Sequence, residues 1–378
     1  MSHVVIVSAR IGAGHDGAAA DLARRLTGRG CTVDRYDLVD LLPAPIAAAL
    51  TRGYHHQLAI APWSWQATVT AFHHPVPAAV AARATRAAER HILAAVRPDT
   101  VAVVATYPLA SQALARLRRT GRLAVPAFAY LTDPSVHRTW IGAGIDTYLT
   151  PYATARDQAR RLGATDVRIV APTVSPGFRP ARDAAETAAA RRAHRLPPTG
   201  PLALVVAGSL GVGRPDRTAY DIAATGLAAP VVLCGRHPTL YRRLTAVPGI
   251  VALGWVDDMP TLLRAVDVAV HNAGGLTALE ALATGLPAVT YRPLPGHGRA
   301  NARTLDEAGI VPWIRGPRQL PDALGAALAG GGDPPDLFAA PDPAAVVTAP
   351  AADRTAHPTV RLARRRRAGH RPPTRSRV

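Results

Sequence analysis

AVHNAGGLTALEALATGLPAV, residues 269–289, holds a strand, a glycine turn and a helix in a row. The apolar run that starts at Val266 ends at Asn272, and Gly274 and Gly275 follow it. The stretch 277–284 then has a helical pattern, and a second apolar run, PAVTYR, occupies 287–292. Strand, helix and strand in that order form a parallel βαβ unit. At its turn, the first N–H groups of the helix have no partner inside the helix. Thr277 and Glu280 stand three apart, the spacing of a capping box with Thr277 as N-cap. A second reading is chemical. Glu280, on the first turn, grips a ribose diol with its two acceptor oxygens, while Gly274, Gly275 and Thr277 leave room for phosphates.

The same alternation runs outward through most of the chain. Apolar runs begin with VVIVSA and continue at 100–106, 125–132, 146–150 and 167–171. The rhythm restarts at 202–208 and continues at 229–235, 249–254, 266–272 and 287–292. Arginine- and alanine-rich helices such as 154–162 lie between. Strands alternating with helices imply parallel sheets covered on both faces, and two such series imply two doubly wound α/β domains. The boundary falls where proline and charge rise, in 172–200. We assign residues 1–175 and 176–330 to two Rossmann-like domains. Residues 331–378, rich in Pro, Ala and Arg without periodicity, read as a disordered basic tail.

The 378 residues carry a formal net charge of +18, and no lysine is present. A Walker lysine, a Schiff-base lysine and a pyridoxal phosphate site are thereby excluded. Residues 361–378 hold eight arginines and no acid. Such a stretch is either a solvated tail or a surface for nucleic acid, anionic lipid or a phosphate-rich substrate. Cys31 and Cys234 are the only cysteines. A disulfide framework is not expected, and a reducing, cytoplasmic compartment is. No apolar stretch reaches the roughly 18 residues of a membrane span, and the first residues lack a signal-peptide pattern. Tyr54, Trp63, Trp65 and Phe72 crowd into 43–75 of a chain with only 5% aromatics. They are either core or an apolar acceptor and membrane-contact surface. The histidine pairs 55–56 and 73–74 have no carboxylate at ligand spacing, so no metal is expected there.

In doubly wound sheets, ligands sit beyond the carboxyl ends of the strands. Two more loops fit that position. VVIVSARIGAGHDGAAADLARRL, residues 4–26, puts Gly12, Gly14 and His15 between a strand and a helix. It can be a nucleotide loop, a catalytic loop or only a tight turn. GSLGVG, residues 208–213, offers Gly208, Ser209, Gly211 and Gly213, whose backbone N–H groups can meet a diphosphate. The loop 208–213 lacks the dinucleotide glycine spacing.

Three segments carry a resemblance. They are SARIGAGHDGAA (8–19), YLTDPSVHRTWIGAGIDTYLTPYATARDQARRLGA (130–164) and the segment from Leu253 to Ile310 around the opening stretch. Together they resemble GT-B glycosyltransferases, and within them the monogalactosyldiacylglycerol synthases and the lipid I N-acetylglucosaminyltransferases of peptidoglycan synthesis. The resemblance implies two Rossmann-like domains facing a cleft, with the acceptor on the first and a UDP-sugar on the second. It makes His15 the counterpart of the general base, and Asp133 its orienting partner or the base itself. Asp133 can equally cap a turn before Pro134. Glu280 is implied to hold the ribose, with Gly274, Gly275 and Thr277 along the phosphates. The loop 208–213 is implied to face the diphosphate and sugar. Backbone at Trp255 and Val256 is implied to read the uracil, with Met259 nearby. N–H groups and helix dipoles then meet the leaving-group charge, with no metal and no cofactor besides the UDP-sugar co-substrate.

The sequence also departs from the family. Ser175–Pro176 stands where an arginine before a proline is common, and Arg179 is near enough in sequence to replace it. The sugar-reading segment is PGHGRAN, with His297, Gly298, Arg299 and Asn301, so the sugar is open. The family's C-terminal helix that returns to the first domain is hard to find. The expected activity is inverting transfer of a hexose to a lipid-like acceptor such as diacylglycerol, with the enzyme peripheral on an anionic cytoplasmic membrane face. A soluble acceptor, an epimerase-like reaction and a non-catalytic nucleotide-sugar or nucleic-acid binding module are the alternatives. No specific nucleic acid is expected as a partner.

Overall fold

In the computed structural model, the described residues are 1–60, 64, 67, 83–207, 213–330 and 336–349. Most of their strands are short runs of Val, Ile, Leu and Ala buried on both faces, as parallel strands between helix layers must be, while the edge strand Thr32–Asp37 is polar and partly exposed. The first sheet holds β1 (His3–Ser8), β2 (Thr32–Asp37), β3 (Thr100–Ala105), β4 (Ala127–Tyr130), β5 (Thr147–Thr150) and β6 (Val167–Ile169). Its order is β2-β1-β3-β4-β5-β6. The second holds β7 (Leu202–Val206), β8 (Ala229–Leu233), β9 (Val251–Leu253), β10 (Val268–His271), β11 (Ala288–Tyr291) and β12 (Trp313–Ile314). Its order is β12-β11-β10-β7-β8-β9. Every pairing is parallel.

Strand order reverses between β1 and β3 in the first sheet, and between β7 and β10 in the second. A crevice opens at such a switch point because the helices after its two strands leave on opposite faces. The loop of Gly12 and His15 follows β1, Ala207 follows β7, and the Asn272–Gly274 turn follows β10. Residues 1–348 form one compact unit. A single buried cluster runs through both sheets, from Val5 to Val311.

The C-terminal segment corrects one expectation. Residues 336–349 are not structureless: Pro343–Thr348 is a helix. Its Ala344 and Val347 are fully buried in a cluster with Val4, Ile6, Leu22 and Leu26. Beside it, Pro341 O accepts from Ala171 N at 2.8 Å, and Asp342 pairs with Arg25 at 3.4 Å. Two apolar residues three apart suffice to seat one turn of helix on an existing groove. Proline-rich composition hid them. Residues 350–378, with the arginine cluster, lie outside the described residues.

A second correction concerns the opening stretch. Its helix spans Gly275–Ala283, with Gly274 as N-cap and no side-chain cap. Thr277 is inside the first turn, so the capping box is not formed.

Candidate active site

A cavity of about 670 Å³ lies between the carboxyl edges of the two sheets. Its lining includes Gly12, Gly14, His15, Thr132 and Asp133 from the first half. The second half contributes Trp255, Val256, Met259, Gly274, Gly275, Thr277, Glu280, His297 and Asn301. The residues that sequence placed in different loops therefore share one space.

His15 sits in the first turn of the helix Ala13–Gly28. Its Nδ1 lies 3.0 Å from Thr106 O and 2.7 Å from Thr132 Oγ1. A carbonyl only accepts, so Nδ1 carries the proton and Nε2 keeps its lone pair. Nε2 has no hydrogen-bond partner among the described residues. The ring packs edge-on to Tyr107 at 5.1 Å and beside Trp140 at 6.0 Å. At Gly12, a Cβ would come within 3.0 Å of His15 Cδ2, so glycine is what lets the loop fold over the imidazole edge. The expected orienting role of Asp133 goes instead to Thr132 and Thr106. Asp133 lines the cavity and accepts from Trp140 Nε1 at 3.1 Å. Sequence reading missed both threonines, because neither a backbone carbonyl after β3 nor a hydroxyl after β4 has a motif.

Glu280 is the opposite case. Its carboxylate makes no hydrogen bond among the described residues, and burial pushes its pKa up to about 8. Gly275, five residues before it, begins the helix whose first N–H groups border the same cavity, so Glu280 lies on the second turn and not on the first as expected. The turn that leads there is braced from below. His271 ends β10 fully buried, and its Nδ1 accepts from Ala273 N at 3.0 Å. Burial lowers its pKa to about 4, so this imidazole is neutral and structural. Ala273 has φ +75, a left-handed conformation that costs a non-glycine residue about 1–2 kcal/mol. The His271 bond offsets part of that.

Other expected residues have specific places. Gly213 has φ +104 and fits against Leu294 and Asn272, while Gly208, Ser209 and Gly211 lie outside the described residues. Trp255 is 47% exposed, donates to Asp257 Oδ1 at 2.7 Å, and has the Arg236 guanidinium 4.4 Å above its ring. His297 begins the helix His297–Glu307 after Gly296, whose φ is +80. Burial lowers the His297 pKa, Asp133 raises it and His15 lowers it again, so the three groups share one electrostatic neighbourhood. Asn301 bridges the halves: its Oδ1 accepts from Ser135 N at 3.1 Å and from the Ser135 hydroxyl. Its amide oxygen, expected at the sugar, is thus already engaged.

Two expectations are not met. The space at Gly275 is not left for phosphates, because a Cβ there would meet Thr132 O at 2.8 Å and Pro134 Cδ at 3.0 Å. Arg179 does not replace the missing arginine at Ser175. Glu186 and Pro180 O hold its guanidinium, and no arginine lines the cavity among the described residues. Of the expected acceptor residues, Trp63, Trp65 and Phe72 lie outside the described residues, as does the side chain of Tyr54 in the helix Ala44–Ile60.

The sequence pattern of the monogalactosyldiacylglycerol synthase family matches residues 23–172, and that of glycosyl transferases group 1 matches 217–329. The processive diacylglycerol beta-glucosyltransferase of Bacillus subtilis is 25% identical over 241 residues, 62% of this chain and 61% of that protein. The chain thus spans less than two-thirds of that relative's length. Among solved structures, the spinosyn rhamnosyltransferase SpnG with thymidine diphosphate superposes with a TM-score of 0.62 at 17% identity, covering 92% of this chain and 99% of that one. Acinetobacter baumannii MurG superposes with a TM-score of 0.53 at 16% identity, covering 86% and 90%. The fold is that of GT-B glycosyltransferases, and the two matched patterns, each over less than half of the chain, are those of glycosyltransferase families.

Proposed function

We propose that this protein is an inverting glycosyltransferase that moves a hexose from a UDP-sugar to the hydroxyl of a lipid-like acceptor such as diacylglycerol. Residues 1–175 form the acceptor half and residues 176–330 the donor half. The observation that carries the proposal is the pairing of a fixed imidazole with an open carboxylate in one cavity. Nε2 of His15 has its lone pair available, and Glu280 has no protein partner among the described residues.

The acceptor hydroxyl gives its proton to His15 Nε2 as its oxygen forms the new bond to the anomeric carbon. The bond from that carbon to the diphosphate oxygen breaks, and UDP leaves with the electron pair. Attack opposite the leaving group inverts the anomeric centre. Glu280 holds the ribose diol through its two oxygens, which favours its charged form. Free N–H groups at the start of Gly275–Ala283 meet the developing phosphate charge without a metal. The neighbouring His297 adds a donor there.

The family match and the diacylglycerol activity named for the Bacillus subtilis relative support a lipid acceptor. No helix among the described residues is long and apolar enough to cross a membrane. The net charge of +18 fits peripheral attachment to an anionic cytoplasmic face, at about 1 kcal/mol per arginine near the surface.

The test is mass spectrometry of products from UDP-galactose, UDP-glucose or UDP-N-acetylglucosamine, with liposomes that contain diacylglycerol. Pelleting of the protein with anionic liposomes at rising salt runs beside it. A glycolipid from one donor, with pelleting that salt weakens, supports the whole reading. UDP binding without glycolipid moves the acceptor to a soluble molecule. No UDP binding sinks the transferase reading.

A further inference from the structure

The first residues of the helix Gly275–Ala283 touch the other half of the molecule at two places. Gly275 lies against Thr132 O and Pro134, at the distances a Cβ could not occupy. Leu276 lies over the helix Ala13–Gly28: a Cβ on Gly14 would be 3.5 Å from Leu276 Cβ, and one on Gly17 only 2.8 Å from Leu276 Cδ2. Both contacts reach groups that hold the imidazole. Thr132 is the hydroxyl partner of His15 Nδ1, and Gly14 and Gly17 flank His15 on its own helix. The same short helix carries Glu280.

Gly17 has no conformational reason to be glycine. It lies inside a helix, where alanine is the better former. The close approach of Leu276 is what the missing methyl allows. A Cβ at Gly17 would have to displace the terminal methyl of Leu276.

We propose that Leu276 is a positioning residue. Seated in the socket left by Gly14 and Gly17, with Gly275 against Thr132, it sets the separation of the two halves and transmits donor occupancy at Glu280 to His15. The inference rests on the reading of Glu280 as the nucleotide holder and His15 as the base. Ser135–Asn301 and Gln158–Thr304 hydrogen bonds also join the halves, but neither Asn301 nor Thr304 lies on the Glu280 helix, and neither contact touches His15.

The test uses the full chain with Gly17→Ala, Leu276→Ala and both together. Calorimetry gives UDP affinity, steady-state assays separate kcat from KM, and NMR follows the His15 imidazole with and without UDP. Gly17→Ala should lower kcat on the order of 10- to 100-fold, the scale of an ångström-sized misplacement, with UDP affinity little changed. Its His15 signal should no longer respond to UDP. Adding Leu276→Ala makes room for the new methyl and should restore at least about tenfold of the loss, the sign of a direct coupling. Should Gly17→Ala fail to fold, Leu276→Ala alone, which only removes atoms, should lower kcat and uncouple the His15 signal in the same way. Wild-type kcat in Gly17→Ala overturns the proposal, as does a double variant no better than that single one. So does a His15 response to UDP that persists in Leu276→Ala. If wild-type protein does not bind UDP, the reading of Glu280 fails and this inference with it. If wild type binds and transfers while the variants match it, this inference alone fails.

Discussion

The two switch points of the molecule are built alike and finished differently. Each is a crevice at the carboxyl edge of a parallel sheet, with a glycine turn leading into a helix. At the first, the functional side chain is held by two protein acceptors, and the tautomer of His15 follows from them. At the second, Glu280 is half-buried with no hydrogen-bond partner among the described residues, and burial pushes its carboxyl up to about 8. A base needs a fixed orientation before its substrate arrives. A ligand-holding group needs vacant acceptor sites, and the protein bears the desolvation until a ligand fills them. On the proposed reading, the contrast separates a preformed catalytic group from a waiting binding group.

Removing the proposed base should have the largest effect. His15→Ala should lower kcat by roughly 10²- to 10⁴-fold while UDP affinity stays as in wild type, by steady-state kinetics and calorimetry. Equal losses in both quantities would erase the distinction between the two sites.

Next comes Glu280→Gln. Losing charged hydrogen bonds worth about 1.5–3 kcal/mol should weaken UDP binding on the order of 10- to 100-fold. Wild-type UDP affinity should rise with pH up to about 8 and then level off, because the charged carboxylate is the better acceptor. The variant should lack that rise. Stability of the empty protein should move the other way. The folded pKa lies above the ordinary glutamate value of about 4.5, so the folded state holds the proton longer. Between those values stability therefore falls as pH rises. Thermal melts of Glu280→Gln should lack this slope and lie above wild type at pH 8. A variant that binds UDP as wild type does at pH 8 would return Glu280 to a structural role.

The smallest effect belongs to Thr132→Val, which removes one acceptor from His15 Nδ1–H and leaves Thr106 O. A loss of about 0.5–1.5 kcal/mol, roughly 2- to 12-fold in kcat with UDP affinity unchanged, is expected. No change would mean that Thr106 O alone orients the ring.

Much of this was legible beforehand, and the reasons are local. Apolar runs alternating with helices report sheets buried on both faces. Glycines after Val7, after Val206 and after Asn272 mark where each chain segment turns at a sheet edge. Glu280 lines the cavity, and the capping box that competed for it is absent because the helix starts two residues before Thr277. Asp133 looked like the partner of His15 because acids are the familiar partners of histidine. The hydroxyl one residue earlier and a carbonyl after β3 have that role instead.

The sequence by itself determined the two series of βαβ units, the positions of the glycine turns and the presence of a histidine and a carboxylate at two strand ends, because periodicity and turn chemistry act over a few residues. Only the tertiary structure decided which atom of His15 is free, that Gly275 presses on Thr132, that the Asn301 amide oxygen is taken by Ser135, and that Pro343–Thr348 returns to the first sheet. Each of those depends on groups on the order of a hundred residues or more apart meeting within a hydrogen bond or a van der Waals contact. Side-chain type along the chain does not encode such meetings; packing of the two halves does.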